Sequence, residues 1–156
     1  MIDKDYGSHL PALMSVIKIT DGPVLELGGG FFSTPYLHWA CWPNRKLVTY
    51  DSQPEYFADI KQYECDYHKV ELVKDWPSAD LSGEWDVVLI DHHRPSRRIE
   101  EIKRLVGAVK YFVLHDTQDK WDWKFRYSKI YPLFKYRKDF DIYPRTTILS
   151  NYKEIK

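Results

Sequence analysis

The sequence lacks three features that would indicate particular partners. It has no excess charge, since 23 Lys and Arg residues balance 23 Asp and Glu residues, and this balance predicts no nucleic-acid or acidic-membrane partner. It has only two cysteines, Cys41 and Cys65, whose spacing favours reduced thiols over a disulfide framework. No apolar run has the length of a signal peptide or a membrane span. We therefore expect a cytoplasmic protein without a membrane partner.

The apolar content is sufficient for a substantial core. Hydrophobic residues make up 44% of the 156 residues, which fits one domain over residues 1–156. Aromatic residues are plentiful, with 12 Tyr, 7 Phe and 6 Trp. This aromatic content is compatible with a thick core or with the interface of a homo-oligomer.

Short apolar runs alternate with segments of helical period along the chain. The segments that we predict as strands are 24–28, 46–51, 68–73, 85–91 and 110–116, with a final pair in 136–150. The segments that we predict as helices are 8–19, 34–42, 54–63, 96–106 (capped by Ser96) and 121–133. This order predicts an α/β fold: a doubly wound, mostly parallel Rossmann-like sheet with helices on both faces and one antiparallel strand near the C-terminus. Such sheets bind ligands beyond the carboxyl ends of their strands.

A glycine-rich loop follows the first predicted strand. The residues of this stretch, ELGGGFFSTP, that we assign to cofactor binding are Glu26, Gly28, Gly29, Gly30, Ser33 and Thr34. Glycines permit positive φ angles and a close approach of the backbone to a ligand. Asp51 ends the second strand roughly twenty residues later, where a carboxylate can accept both hydroxyls of a ribose. The loop and the acid together predict a nucleoside-containing cofactor.

Two strands that are adjacent in the predicted sheet both end in Asp and His. WDVVLIDHH ends in Asp91, His92 and His93, and YFVLHDT contains His115 and Asp116. Neighbouring strands lie about 4.8 Å apart, so the two carboxylates can converge on one small cation or one proton. Without a counter-charge they would repel each other and the pKa of one would rise. A hard divalent cation such as Mg²⁺ would resolve this conflict.

The order and spacing of these motifs resemble a known family. VLELGGGFFSTPYL, TYDSQ, WDVVLIDHH and YFVLHDT are similar to the successive motifs of class I S-adenosylmethionine-dependent methyltransferases, over roughly residues 22–118. The resemblance implies that the stretch from Glu26 to Gly30 faces the methionine part of S-adenosylmethionine, and that Asp51 binds the ribose. It places Asp75 and Trp76 beside the adenine. The further cofactor residues that we assign are Ser52, Asp91 and His92.

The strand ends resemble the cation-dependent O-methyltransferases of the catechol O-methyltransferase type. That pattern has an Asp after the fourth strand and an Asp-Asn pair after the fifth, and here Thr117 stands in the place of the Asn. The resemblance implies Mg²⁺ at Asp91, Asp116 and Thr117. The family's Lys base corresponds to Arg94, which cannot be deprotonated in proteins. The predicted catalytic residues are therefore Asp91 and a histidine base chosen from His93, His115 and His92.

We expect an S-adenosylmethionine-dependent O-methyltransferase that acts on a small polar molecule, with a divalent cation assisting. The candidate acceptor contacts are Tyr6, His9, Trp121 and Trp123, although burial is the commoner role for both Trp residues. Two alternatives stay open. Thr117 and Arg94 are compatible with a non-catalytic S-adenosylmethionine-binding regulatory or partner subunit. An NAD-dependent oxidoreductase would need a third glycine near Ser33. A DNA base methyltransferase is disfavoured, since DHHRP lacks the Asp/Asn-Pro-Pro-aromatic signature of those enzymes.

Overall fold

The computed structural model describes residues 4–155, which contain one seven-stranded sheet. The strands are β1 (Val24–Leu27), β2 (Leu47–Asp51), β3 (His68–Leu72), β4 (Trp85–Ile90), β5 (Val109–Leu114), β6 (Tyr136–Phe140) and β7 (Thr146–Ser150). The α-helices are α1 (Leu10–Ile17), α2 (Ser33–Cys41), α3 (Pro54–Ile60), α4 (Arg98–Leu105) and α5 (Asp122–Phe125). Strands and helices alternate as far as β5, except that only a 3₁₀ turn separates β3 from β4, where the sequence predicted no helix.

The strand order in the sheet is β3-β2-β1-β4-β5-β7-β6. The first five strands are parallel, and β7 lies antiparallel between β5 and β6. The strand order changes direction between β1 and β4, which is where sheets of this kind bind ligands. The predicted fold class is confirmed, including the reversed strand near the C-terminus.

The central strands are covered on both faces. All four residues of β1 and all six of β4 are buried, as expected for parallel strands between two layers of helices. Side chains of a strand alternate between faces, so Leu25 and Leu27 join one hydrophobic core while Val24 joins the other. Polar residues that follow these strands are therefore brought together at the carboxyl edge of the sheet.

Two helix predictions were wrong in part. Instead of one helix over 121–133, the chain has the four-residue α5 flanked by short 3₁₀ turns, because Arg126 adopts a left-handed conformation with φ 61°. Ser96 does not cap a helix, since residues 95–97 form a 3₁₀ turn and α4 begins at Arg98. Within residues 4–155, no helix is long and apolar enough to cross a membrane.

Candidate active site

A cavity of about 700 Å³ opens at the carboxyl ends of the central strands. The glycine loop, Asp51, Asp91 and Asp116 all line it, so the structure brings together the loop and the three strand ends that the sequence pattern singled out. Its volume lies within the range of about 300–1,000 Å³ that is typical of small-molecule sites. Six predicted site residues do not line the cavity, namely Glu26, Thr34, Ser52, Asp75, Trp76 and Thr117, whereas the others do.

Glycine is explained by a different structural feature at each of the three positions of the loop. Gly28 has φ +97°, and a Cβ atom there would lie 2.5 Å from the backbone nitrogen of His92. A Cβ atom on Gly29 would lie 2.3 Å from Cδ1 of Ile60. A Cβ atom on Gly30 would meet nothing within 4 Å. Gly28 is therefore needed by the fold, and a side chain at Gly29 would require Ile60 to shift. Gly30 leaves open space for a ligand to approach the backbone.

Glu26 is connected to the glycine loop by hydrogen bonds through Thr34. The backbone N–H of Gly30 donates to Oγ1 of Thr34 (2.9 Å), and the Thr34 hydroxyl donates to Oε2 of Glu26 (2.9 Å). The Thr49 hydroxyl donates to the same Glu26 oxygen at 2.7 Å. Burial raises the pKa of Glu26 to about 7. Glu26 and Thr34 thus hold the loop in position through a buried chain of hydrogen bonds and do not face the cavity.

Asp51 connects the end of β2 to the same loop. Its Oδ2 accepts from the N–H of Gly29 (3.0 Å), and its Oδ1 accepts from the N–H of Gln53 (2.7 Å). Burial raises the pKa of Asp51, although these backbone hydrogen bonds oppose the shift. A carboxylate oxygen has room for a second donor, so Asp51 can accept from a ligand hydroxyl while it keeps its contacts with the loop.

The structure does not bring Asp75 and Trp76 to the cavity. Asp75 caps a 3₁₀ turn, with its Oδ1 accepting from the N–H of Ser78 at 3.0 Å. Trp76 is 2% exposed, and its ring packs against that of His92 with centroids 3.9 Å apart and the ring planes tilted by 31°. The indole therefore packs in the core against a residue of the cavity wall, and the adenine contacts of this pair stay a prediction.

A buried arginine lies between the two carboxylates at the ends of β4 and β5. Nη2 of Arg98 lies 3.0 Å from Oδ1 of Asp91, and Nη1 lies 3.2 Å from Oδ2 of Asp116. Its Nε donates to the backbone oxygen of His92 at 2.9 Å. Sequence reasoning missed Arg98, although it precedes Ile102 and Leu105 by four and seven residues on the buried face of α4. The signal that could have identified Arg98 is a charged residue on the otherwise apolar face of an amphipathic helix.

This arginine bears directly on the predicted Mg²⁺ site. The guanidinium of Arg98 contacts both Asp91 and Asp116 and supplies one positive charge between them. The third predicted ligand, Thr117, donates its hydroxyl to the Arg145 carbonyl (3.1 Å) and accepts from the Thr147 hydroxyl (2.8 Å). Thr117 thus points away from the two carboxylates. The residues present do not fit Mg²⁺ held by Asp91, Asp116 and Thr117, and we assign no step of the reaction to that ion.

Of the three predicted histidine bases, two have rings that are engaged in hydrogen bonds. His92 is buried, and its Nδ1–H donates to the carbonyl of His93 at 2.6 Å. Nδ1 of His115 lies 3.1 Å from Oδ1 of Asp91, and its Nε2 lies 2.9 Å from the Ser8 hydroxyl. His93 is exposed on the cavity lining. Among the three, His93 is the ring that a bound acceptor can reach.

Ser8 and Asp91 fix the ring of His115. The Ser8 hydroxyl donates to the carbonyl of Pro144 at 2.8 Å, which leaves its oxygen to accept from Nε2–H of His115. Burial opposes protonation of His115, but the Asp91 carboxylate outweighs it and raises the pKa of His115. Conversely, burial opposes ionisation of Asp91, but His115 and Arg98 outweigh it and lower the pKa of Asp91.

Among the candidate acceptor contacts, Tyr6 and His9 line the cavity, whereas the two Trp residues do not. His9 is 2% exposed, and its ring stands edge-on to that of His115 with centroids 5.0 Å apart. Burial lowers the pKa of His9 to about 4. Trp121 packs against the core, but Trp123 is 78% exposed, so burial within the chain is not the role of Trp123.

The fold matches that of solved methyltransferase structures. Rv0187 from MTB, solved with a bound cofactor, is 16% identical (TM-score 0.68), with 98% of this chain and 83% of that chain covered. The O-methyltransferase TomG from Streptomyces achromogenes, in complex with S-adenosylmethionine, is also 16% identical (TM-score 0.63; coverage 98% and 82%). The N-methyltransferase NodS from Bradyrhizobium japonicum is 10% identical (TM-score 0.65; coverage 93% and 94%).

No protein-family model matches the sequence, and no curated protein sequence matches it. The chain has the Rossmann-like fold of class I methyltransferases, and its sequence is only 10–16% identical to these structures. Because O- and N-methyltransferases share this fold, the fold does not select the acceptor atom. That choice depends on the side chains around the cavity.

Proposed function

We propose that the protein is an S-adenosylmethionine-dependent methyltransferase that methylates an oxygen of a small polar molecule. The observation that carries the proposal is that the glycine loop, Asp51 and Asp91 open onto one cavity at the switch point of the sheet. Two structures with this fold support the choice of donor: TomG is in complex with S-adenosylmethionine, and NodS has been solved with S-adenosylhomocysteine. The methyl acceptor occupies the part of the cavity beside Tyr6 and His9.

The donor is held by groups of two kinds. The backbone at Gly30, where a side chain would otherwise fill the open space, lies against the methionine part. Asp51 accepts hydrogen bonds from the ribose hydroxyls, since its carboxylate is fixed by backbone N–H groups and lines the cavity. Glu26 and Thr34 act indirectly, because they hold the loop in place.

Bound S-adenosylmethionine supplies an electrophilic methyl group, whose carbon bonds to the acceptor oxygen while the C–S bond breaks and its electron pair stays on sulfur. The chain has to align the acceptor with that carbon and to remove the acceptor's proton. We assign proton removal to His93, since its side chain is exposed at the cavity lining whereas the rings of His92 and His115 are engaged. Asp91 and Arg98 form an ion pair in the same cavity lining.

Two measurements test this proposal in sequence. Calorimetry with S-adenosylhomocysteine should give one saturable site, and a transfer assay with methyl-labelled S-adenosylmethionine should then label hydroxylated small molecules in preference to amines. His93→Gln should retain S-adenosylhomocysteine affinity and lose transfer, whereas His38→Gln, on α2 outside the cavity lining, should retain both. Absence of any S-adenosylhomocysteine binding would contradict the donor. Binding without transfer to any acceptor would favour the non-catalytic subunit.

A further inference from the structure

Three metal-ligating side chains meet at one wall of the cavity. His9 immediately precedes α1, Asp91 follows β4 and His115 follows β5, and one ligand atom of each lies within 4.8 Å of the other two. We infer that His9, Asp91 and His115 form a binding site for a divalent transition metal such as Zn²⁺ or Co²⁺. This set shares only Asp91 with the Mg²⁺ ligands that the sequence predicted.

The surroundings of His115 direct one nitrogen toward this site. Its Nε2–H donates to Ser8, whose hydroxyl in turn donates to the carbonyl of Pro144. Nδ1 is left facing Oδ1 of Asp91 at 3.1 Å. Histidine ligands of metals commonly donate their second ring N–H to a fixed acceptor in this way, because that bond sets the tautomer and the ring orientation.

The carboxylate of Asp91 is also fixed by a hydrogen bond from outside the proposed ligand set. Oδ1 of Asp91 accepts from Nη2 of Arg98 at 3.0 Å, and ligating carboxylates are commonly fixed by such an outer hydrogen bond. The guanidinium of Arg98 contacts Asp116 as well, so the arginine shares its charge between two carboxylates. When His9 and His115 bind a metal as neutral imidazoles, Asp91, Asp116 and Arg98 together carry one net negative charge, which a divalent cation can neutralise.

His9 is the observation that points to a ligand. Neither ring nitrogen of His9 has a hydrogen-bond partner among residues 4–155, although the residue is only 2% exposed. Leaving a buried polar group unpaired is unfavourable. A metal ion bound at this position would supply the partner that the His9 ring lacks. Metal–ligand distances of about 2.0–2.2 Å place neighbouring ligand atoms near the 3.1 Å already found between Asp91 and His115.

The donor chemistry selects the class of metal. Two imidazoles and one carboxylate favour Zn²⁺, Co²⁺, Ni²⁺ or Fe²⁺, whereas Mg²⁺ prefers oxygen ligands. Three protein ligands leave coordination positions open toward the cavity, as in catalytic metal sites. This inference does not rest on methyl transfer, since metal binding can be measured without a donor or an acceptor.

The test uses untagged protein that has been treated with a chelator and then titrated with Co²⁺. Visible absorption of bound Co²⁺ should saturate at one equivalent, Zn²⁺ should displace the signal, and excess Mg²⁺ should not. His9→Phe should lose this saturable signal. His38→Phe is the matched control, because Nδ1 of His38 lies 3.1 Å from Nδ1 of His68 in a separate histidine pair that could itself bind metal; this variant should retain the signal.

Further readouts separate metal ligation from a structural role. In chelator the melting temperature of His9→Phe should equal that of the parent protein, whereas added Zn²⁺ should raise the melting temperature of the parent alone. Ser8→Ala should weaken Co²⁺ affinity by about 10–100-fold, the usual effect of losing an outer hydrogen-bond partner. The inference is overturned if the parent shows no saturable Co²⁺ binding, if His9→Phe keeps the signal, or if His38→Phe loses it.

Discussion

The carboxylates in the two halves of the site differ in their electrostatics. At the ends of β1 and β2, Glu26 accepts from hydroxyls and Asp51 from backbone N–H groups, and burial raises the pKa of both. At the end of β4, Asp91 contacts the guanidinium of Arg98 and the imidazole of His115, which lower its pKa despite burial. All three carboxyls stand at the same edge of one sheet.

The difference shows that burial sets the direction of the pKa shift where the hydrogen-bond partners are uncharged, whereas charged partners outweigh burial at Asp91. The β1–β2 half presents an acceptor surface that suits the uncharged hydroxyls of a nucleoside. The β4–β5 half is a charged network in which each acid already has a basic partner. Variants that exchange neutral for charged partners should therefore affect the two halves differently.

The largest effect is expected from Arg98→Met. It leaves Asp91 and Asp116 without their cation, and removing one partner from a buried ion pair destabilises a protein by about 3–5 kcal/mol. Urea unfolding monitored by tryptophan fluorescence measures the change. Lys103→Met is the control, since its contact with Glu100 is half exposed and should change the free energy of unfolding by less than about 1 kcal/mol. Equal effects of both variants would contradict the role of Arg98.

The stability of Glu26→Gln over a series of pH values tests the β1–β2 half of the site, where the partners of the carboxylates are uncharged. The pKa of Glu26 rises from an ordinary value of 4.5 to about 7 on folding, so the folded state binds more protons than the unfolded state between these values. The wild type should lose stability relative to Glu26→Gln as pH rises from 4.5 to 7, by up to about 3 kcal/mol. Outside that window the difference should stay constant. Urea unfolding at each pH measures it, and a pH-independent difference would contradict the raised pKa.

Asp51→Ala should weaken S-adenosylhomocysteine binding by about 1–3 kcal/mol, because it leaves ribose hydroxyls without their acceptor. Calorimetry of the variant and the wild type measures the difference. Asp75→Ala is the matched control, since Asp75 lies off the cavity lining and its loss should leave the affinity unchanged. An equal loss in Asp75→Ala would instead restore the adenine contact that the sequence predicted.

The smallest stability effect is expected at the glycine loop. Gly30→Ala should change the free energy of unfolding by less than about 0.5 kcal/mol and still lower S-adenosylhomocysteine affinity, since its methyl group enters open space. Gly28→Ala should cost at least about 1–2 kcal/mol because of its positive φ. Thermal unfolding and calorimetry on both variants distinguish the two positions. A large loss of stability in Gly30→Ala would show that Gly30 is a packing glycine.

Much of the fold could be predicted from the sequence because apolar period is a local property. Strand runs such as WDVVLID are continuous and bounded by turn residues, so they were placed within a few residues of the observed strands. The prediction of a helix over 121–133 failed at Arg126, whose left-handed conformation nothing in the residue type indicates. The glycine loop was predictable because its chemistry lies in the backbone.

The β4–β5 half of the site was less predictable because it depends on how helices that are distant in sequence pack against the sheet. Asp91 and Asp116 could be paired from strand adjacency alone, which suggested a shared cation. That the cation is Arg98 depends on the direction in which α4 leaves the sheet. His9 reaches the site only because α1 packs across the sheet, with contacts to β4, β5 and β7, and no periodic pattern encodes such a contact.

The hydrogen bond from Ser8 to the carbonyl of Pro144 joins residues 136 positions apart. During synthesis on the ribosome, the glycine loop and every carboxylate of the site are made before Pro144 emerges. The ring of His115 is therefore secured only when the final hairpin docks on the N-terminal segment. We therefore expect a chain truncated before this hairpin to lack the hydrogen bond that positions Ser8 against His115.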